Sequence, residues 1–123
     1  MVLVDTSVWI DHLRMGDDQL ATILEKGLIY CHPFVVGEIT CGNLRNRDEV
    51  LSLLRQLPSA TMATHDEVLL FIETKRLMGR GIGYVDAHLL ASTALTGSTQ
   101  LWTRDKRLKT LAKELGVAFE QKK

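Results

Sequence analysis

Short, wholly apolar runs separated by stretches of helical spacing constrain this chain's fold more than any other feature. Val2-Leu3-Val4 is too short for a helix and lacks the alternation of a half-exposed strand, so it reads as a strand buried on both faces. Leu28 to Cys31 reads the same way, Thr99 to Trp102 and Val117 to Phe119 are further strands, and Ala60 to Ala63 is a weak one. Helical spacing fills the gaps. Val8 to Arg14 follows Thr6 and Ser7, either able to cap it, and Asp18 to Lys26 stops at Gly27. Pro33 suits the first turn of a helix that ends near Gly42, and Pro58 closes the helix from Asp48 to Leu57. Thr64 and Glu67 form a capping-box signature ahead of Val68, Phe71 and Ile72. After a loop over Arg80 to Gly83, Asp86 lies in the first turn of a helix running through Leu95, and a last helix spans Arg104 to Leu115.

Strands that alternate with helices predict an α/β domain with a mainly parallel central sheet flanked by helices and joined by right-handed crossovers. With no repeat, low-complexity segment or linker, residues 1–123 read as one domain, ending in a frayed tail from Glu120 to Lys123. Fifteen basic residues balance fifteen acidic ones, which argues against a protein that grips nucleic acid mainly by bulk charge. Cys31 and Cys41 make neither a CxxC pair nor a zinc spacing, so free thiols in a reducing compartment are expected. No signal peptide and no apolar run approaching the ~20 residues of a membrane span is visible, so the expected location is cytoplasmic.

Against this frame four acids stand out: Asp5, Glu38, Asp86 and Asp105. Each lies where an apolar strand or helix hands over to a polar turn. A carboxylate in apolar surroundings is costly unless paired, so the set points to a neutralising cation, and oxygen-rich sites suit magnesium or manganese. In open α/β sheets, ligands gather at the carboxyl ends of strands, where Asp5 and Asp105 fall. Each acid also has a structural reading. Asp5 could cap a helix, and Asp86 and Asp105 could serve a helix dipole. Glu38, flanked by Phe34, Val35, Val36 and Ile39, has the weakest such excuse.

The histidines are scattered. His12 and His65 read as surface or first-turn residues, His32 as a loop residue, and His88 as rotated off the face that carries Asp86. HExxH, a Ser-His-Asp order and G-x-S-x-G are absent. Gly79, Gly81 and Gly83 follow a helix without Walker spacing, so they read as a helix stop and hinge. Arg80, Arg104, Lys106, Arg107 and Lys109 are candidate phosphate contacts, with solvated helix faces as the competing reading. Trp9 and Trp102 flank the acids; packing beside the sheet is favoured over stacking on a base.

Met1-Val-Leu-Val-Asp-Thr-Ser-Val-Trp-Ile, then Glu38 in a helix after the second strand, Asp86 ahead of a Leu-Leu-Ala run, and Thr103-x-Asp105 together resemble a PIN domain, of the size found in VapC-type toxins of prokaryotic toxin–antitoxin pairs. The likeness spans the chain, and its specificity lies in the ordered set. It implies a three-layer sandwich and carries the family's acidic quartet onto Asp5, Glu38, Asp86 and Asp105 as catalytic, metal-holding residues, with Thr6 and Thr103 in support. It also implies Mg2+ or Mn2+, an RNA substrate, a homodimer and inhibition by a cognate antitoxin. One departure is Gly81-Ile-Gly-Tyr-Val before Asp86, where many relatives carry a proline–asparagine type turn. Two rivals stay open. A magnesium-dependent phosphohydrolase wants a second Asp where this chain has Ser7, and a non-catalytic binding module has no evident reason to keep four acids.

Overall fold

A computed structural model describes residues 1–121. Its elements follow the order β1 (Val2–Val4), α1 (Thr6–Met15), α2 (Asp18–Glu25), β2 (Ile29–Tyr30), α3 (Pro33–Thr40), α4 (Arg47–Gln56), α5 (His65–Lys75), α6 (Tyr84–Leu95), β3 (Gln100–Trp102) and α7 (Lys106–Glu114). The sheet is parallel, in the order β2-β1-β3. Leu3 pairs with Tyr30 on one side and Leu101 on the other, which places β1 at the centre, as its unbroken apolar character predicts. Leu3 and Val4 are fully buried, and Trp9 and Trp102 fill the largest core positions. This is the expected α/β sandwich.

The helices start and stop where the chain chemistry says they should. Thr64 and Glu67 complete the capping box of α5 reciprocally, and Pro33 opens α3. Two expected strands do not form. Beyond Cys31 only a single bridge to Ser59 extends the sheet on that side, so Ala60 to Ala63 is not a strand. Val117 to Phe119 likewise reduces to one bridge between Ala118 and Leu101. Each contributes two backbone hydrogen bonds, Cys31 N to the Pro58 carbonyl with Ala60 N to the Cys31 carbonyl, and Leu101 N to the Val117 carbonyl with Phe119 N to the Leu101 carbonyl. The end of the expected tail, Lys122 and Lys123, lies outside the described residues.

What this arrangement positions is the carboxyl edge of the sheet. The Asp5 amide donates to the Trp102 carbonyl at 2.9 Å, extending the β1–β3 ladder by one bond as both strands end. Residues just past β1 and β3 therefore meet side by side.

Candidate active site

Asp5 follows β1 and caps α1, the structural role open to it in the sequence, while Thr6 and Ser7, the other candidate caps, fall inside the helix. Its Oδ1 accepts from the Thr6 amide at 2.8 Å. Its Oδ2 accepts from Ser7 Oγ at 2.8 Å and Thr103 Oγ1 at 2.7 Å. Thr103 also accepts from the Asp105 amide at 3.1 Å, and Ser7 accepts from the Arg104 amide at 3.1 Å. A buried carboxylate with three donors is held in one orientation, so the pivot of the site is built before any ligand arrives.

The other acids reach the same edge from helices. Glu38 on α3 accepts from Thr6 Oγ1 at 2.7 Å, which ties α3 to the start of α1. Asp105 caps α7 through the Leu108 amide at 2.9 Å. Asp86, in the first turn of α6, accepts from the Gly83 amide at 3.2 Å. Burial raises the Asp86 pKa most, the Gly83 bond opposes this, and the charges of Asp5, Asp105 and Glu38 raise it further. All four acids therefore share one field.

Burial divides them, and the desolvation premise needs correcting. Asp5 is 6% exposed and Asp86 is half-buried, but Glu38 and Asp105 are exposed. On α3 the buried positions are Val35 and Ile39, one turn apart, and Glu38, three residues after Val35, sits at the margin of that face, where its carboxylate reaches Thr6 and solvent. Oxygens remain for a ligand. Glu38, Asp86 and Asp105 each engage a protein donor through one oxygen only among the described residues. Among those residues, no three acidic, His or Cys side chains are already arranged to hold an ion. The acids are close enough to repel but not closed round a point.

The basic candidates separate as well. Arg80 is ion-paired with Glu114. Arg104 spans Asp11 and Asp17 while its guanidinium lies 5.8 Å from the Trp102 ring centre. Lys109 approaches Glu120 at 4.0 Å. Lys106 and Arg107 are exposed, and the Arg107 side chain covers Gly81, where an added Cβ would meet it at 2.6 Å. The exposed Arg107 side chain could move aside, but Gly81 has a φ of +83°, and that backbone conformation is what favours glycine here.

Trp9 and Trp102 are both buried, which settles them as packing residues. His32 lies in the turn before α3, as expected, but it is not idle there. Fully buried, it caps α3 through Nδ1 with the Phe34 amide and reaches Ser92 through Nε2 at 3.1 Å. Burial first, then the charge of His88, lowers its pKa to about 4, so it is neutral and structural. Ser7 is the functional residue the sequence reading passed over. Its signal was its place, two residues after Asp5 in a strand-to-helix turn.

The parallel edge, the buried Asp5 with its hydroxyl donors and the acids of α3, α6 and α7 define a PIN domain. The family model for the PIN domain matches residues 2–114, and the chain belongs to that family. Among its relatives is Ribonuclease VapC32 of Mycobacterium tuberculosis, 51% identical over 121 residues that cover 98% of each chain. The protein of that name from strain H37Rv matches to the same extent.

Proposed function

We propose that this protein is a divalent-metal-dependent ribonuclease, the toxin of a toxin–antitoxin pair, and that a cognate antitoxin holds it in check. The observation that carries the reading is the single field shared by Asp5, Glu38, Asp86 and Asp105 at the carboxyl edge of the sheet. The 51% identity to a protein named a ribonuclease supports the substrate class.

The donor set suits a hard cation, Mg2+ or Mn2+, because every candidate ligand is an oxygen. Asp5 and Asp86 would be its principal holders, with Glu38 and Asp105, exposed and tied by one oxygen each, turning in directly or through water. When bound, such an ion offsets charge developing on the phosphate and on the departing oxygen. The protein's own part is positional. Thr103 and Ser7 hold Asp5 rigid, and Thr6 sets Glu38. The uncommitted oxygens of Glu38 and Asp105 can orient the attacking water and receive its proton. No neutral histidine or serine–histidine pair is placed to take over this work among the described residues.

A cluster of acids also attracts arginine or lysine, which supports an antitoxin with a basic segment as the inhibitor. Exposed Leu70 and Leu95 beside Phe71, on the paired helices α5 and α6, are consistent with a homodimer. A cytoplasmic location fits these partners, and among the described residues no helix is long and apolar enough to cross a membrane. The deciding experiment is cleavage of RNA with and without manganese, alongside a phosphomonoester control. Metal-dependent cutting of RNA alone supports the reading, hydrolysis of the monoester alone points to a phosphohydrolase, and inertness toward both leaves a binding module.

A further inference from the structure

Beside the acid cluster lies a cavity of about 330 Å³ lined by α1, by α3 and by the loop between α3 and α4. That volume falls within the range of small-molecule sites, about 300–1,000 Å³. Glu38 forms part of its wall, so the cavity adjoins one of the four acids. Ile10, Ile39 and Leu44 contribute apolar lining, and Arg14, Asn43 and Arg45 contribute polar lining. Both arginines are exposed, and among the described residues neither is in an ion pair. They differ in this from Arg80 and Arg104, whose guanidinium groups are held by carboxylates.

The loop is braced rather than loose. Arg47 donates to the Gly42 carbonyl at 3.1 Å and to the Thr40 carbonyl at 2.7 Å, closing the end of α3 and fixing the segment that presents Asn43 and Arg45. Two guanidinium groups without ion pairs grip phosphate and can stack on an unpaired base, and the aliphatic lining beside them takes apolar surface out of water; single-stranded RNA offers phosphate and exposed base together.

We infer that this groove binds the single-stranded RNA segment next to the scissile phosphodiester, with Arg14 and Arg45 as its phosphate contacts. The inference rests on the nuclease reading and adds the path of the substrate to it. Charge complementarity selects this occupant: Arg14 and Arg45 are in no ion pair among the described residues, so a polyanion is held there beside Glu38.

The test measures binding of a fluorescein-labelled, mixed-sequence twelve-nucleotide RNA by anisotropy across a potassium chloride series, in an Asp86→Asn parent that cannot cut the probe. Combined Arg14→Ala and Arg45→Ala should weaken binding about tenfold and flatten the log–log salt slope by about 1.4, since each phosphate contact to a single strand contributes about 0.7. Arg55→Ala, exposed on α4 and absent from the groove lining, should change neither quantity. Both substituted arginines are exposed, so the melting temperature should stay at the parent value and exclude misfolding. A 4-thiouridine probe should crosslink within residues 10–14 or 42–45. Unchanged affinity and salt slope in the double variant, with the wild type cutting RNA, overturn the groove and leave the nuclease reading intact, even if the same variant weakens an antitoxin peptide. If the wild type cuts no RNA and the parent binds none, both fall.

Discussion

Thr103 donates from Oγ1 to Asp5 Oδ2 at 2.7 Å, joining the tips of β1 and β3 across 98 positions of sequence. The same hydroxyl receives the Asp105 amide, so one buried side chain fixes two of the four acids. Thr103→Val should therefore leave Asp5 short of a donor and the Asp105 amide short of an acceptor. A loss of about 1–3 kcal/mol in stability is expected for such unpaired buried groups. Cleavage should fall about 10–100-fold, the range for lost partners of metal-holding residues. Thr103→Ser should restore most of both, as read by urea unfolding and initial rates.

Asp86→Asn should abolish cleavage yet raise stability at neutral pH. Its carboxylate is half-buried and faces three like charges, while an amide oxygen can still accept from Gly83. The pH dependence has a definite sign. The folded-state pKa lies above the ordinary 3.8, so the protonated form favours the folded chain. That contribution is complete below the unfolded value and is lost as pH rises through the raised one. The advantage of the Asn variant should thus be absent in acid and grow across that window. A melting temperature below wild type at neutral pH would contradict it.

Adding manganese should raise the wild-type melting temperature. An ion that binds only the folded chain stabilises it by about 2.7 kcal/mol at a hundredfold excess over the dissociation constant. Asp86→Asn should blunt the response, and chelation should reverse it. A flat wild-type response at saturating metal would remove the ion from the site.

Arg104→Met should behave as a structural change. The side chain clamps Asp11 and Asp17, although Asp11 is 39% exposed and its pair is correspondingly weak. A loss of about 1–2 kcal/mol at neutral pH is expected. Burial pushes the Asp17 pKa up, but the Leu20 amide and Arg104 outweigh it and hold the pKa below the ordinary value. Its stabilisation is therefore present above the unfolded pKa and lost as pH falls through the lowered one, so the variant's deficit should shrink in acid. RNA affinity should fall far less than in the Arg14 and Arg45 variants.

The element order and the four acids were legible because local chemistry marks both. Gly27, Pro33, Pro58 and Gly97 punctuate the helices, and an acid just past an apolar strand is visible without coordinates. What escaped depends on distant partners. Glu38 looked desolvated because its sequence neighbours are apolar, but it falls at the margin of the buried face of α3, and only the packing of α3 shows that its carboxylate stays exposed. Arg80 and Arg104 looked free because the acids that hold them lie far along the chain. Arg14 and Arg45 went unnoticed for the converse reason: nothing in sequence says that the end of α1 and the turn after α3 share a wall with Glu38. His32 was hidden in the same way, since Ser92 is supplied by α6.

The pairing of the first and last strands also sets a schedule. On a ribosome Asp5 emerges 98 positions ahead of the hydroxyl that orients it. The Leu101 carbonyl takes its partner, the amide of Phe119, later still. A nascent chain halted anywhere before Thr103 holds the acid without the donor that aims it. Synthesis of this protein therefore keeps the site incomplete until β3 and Thr103 have been made.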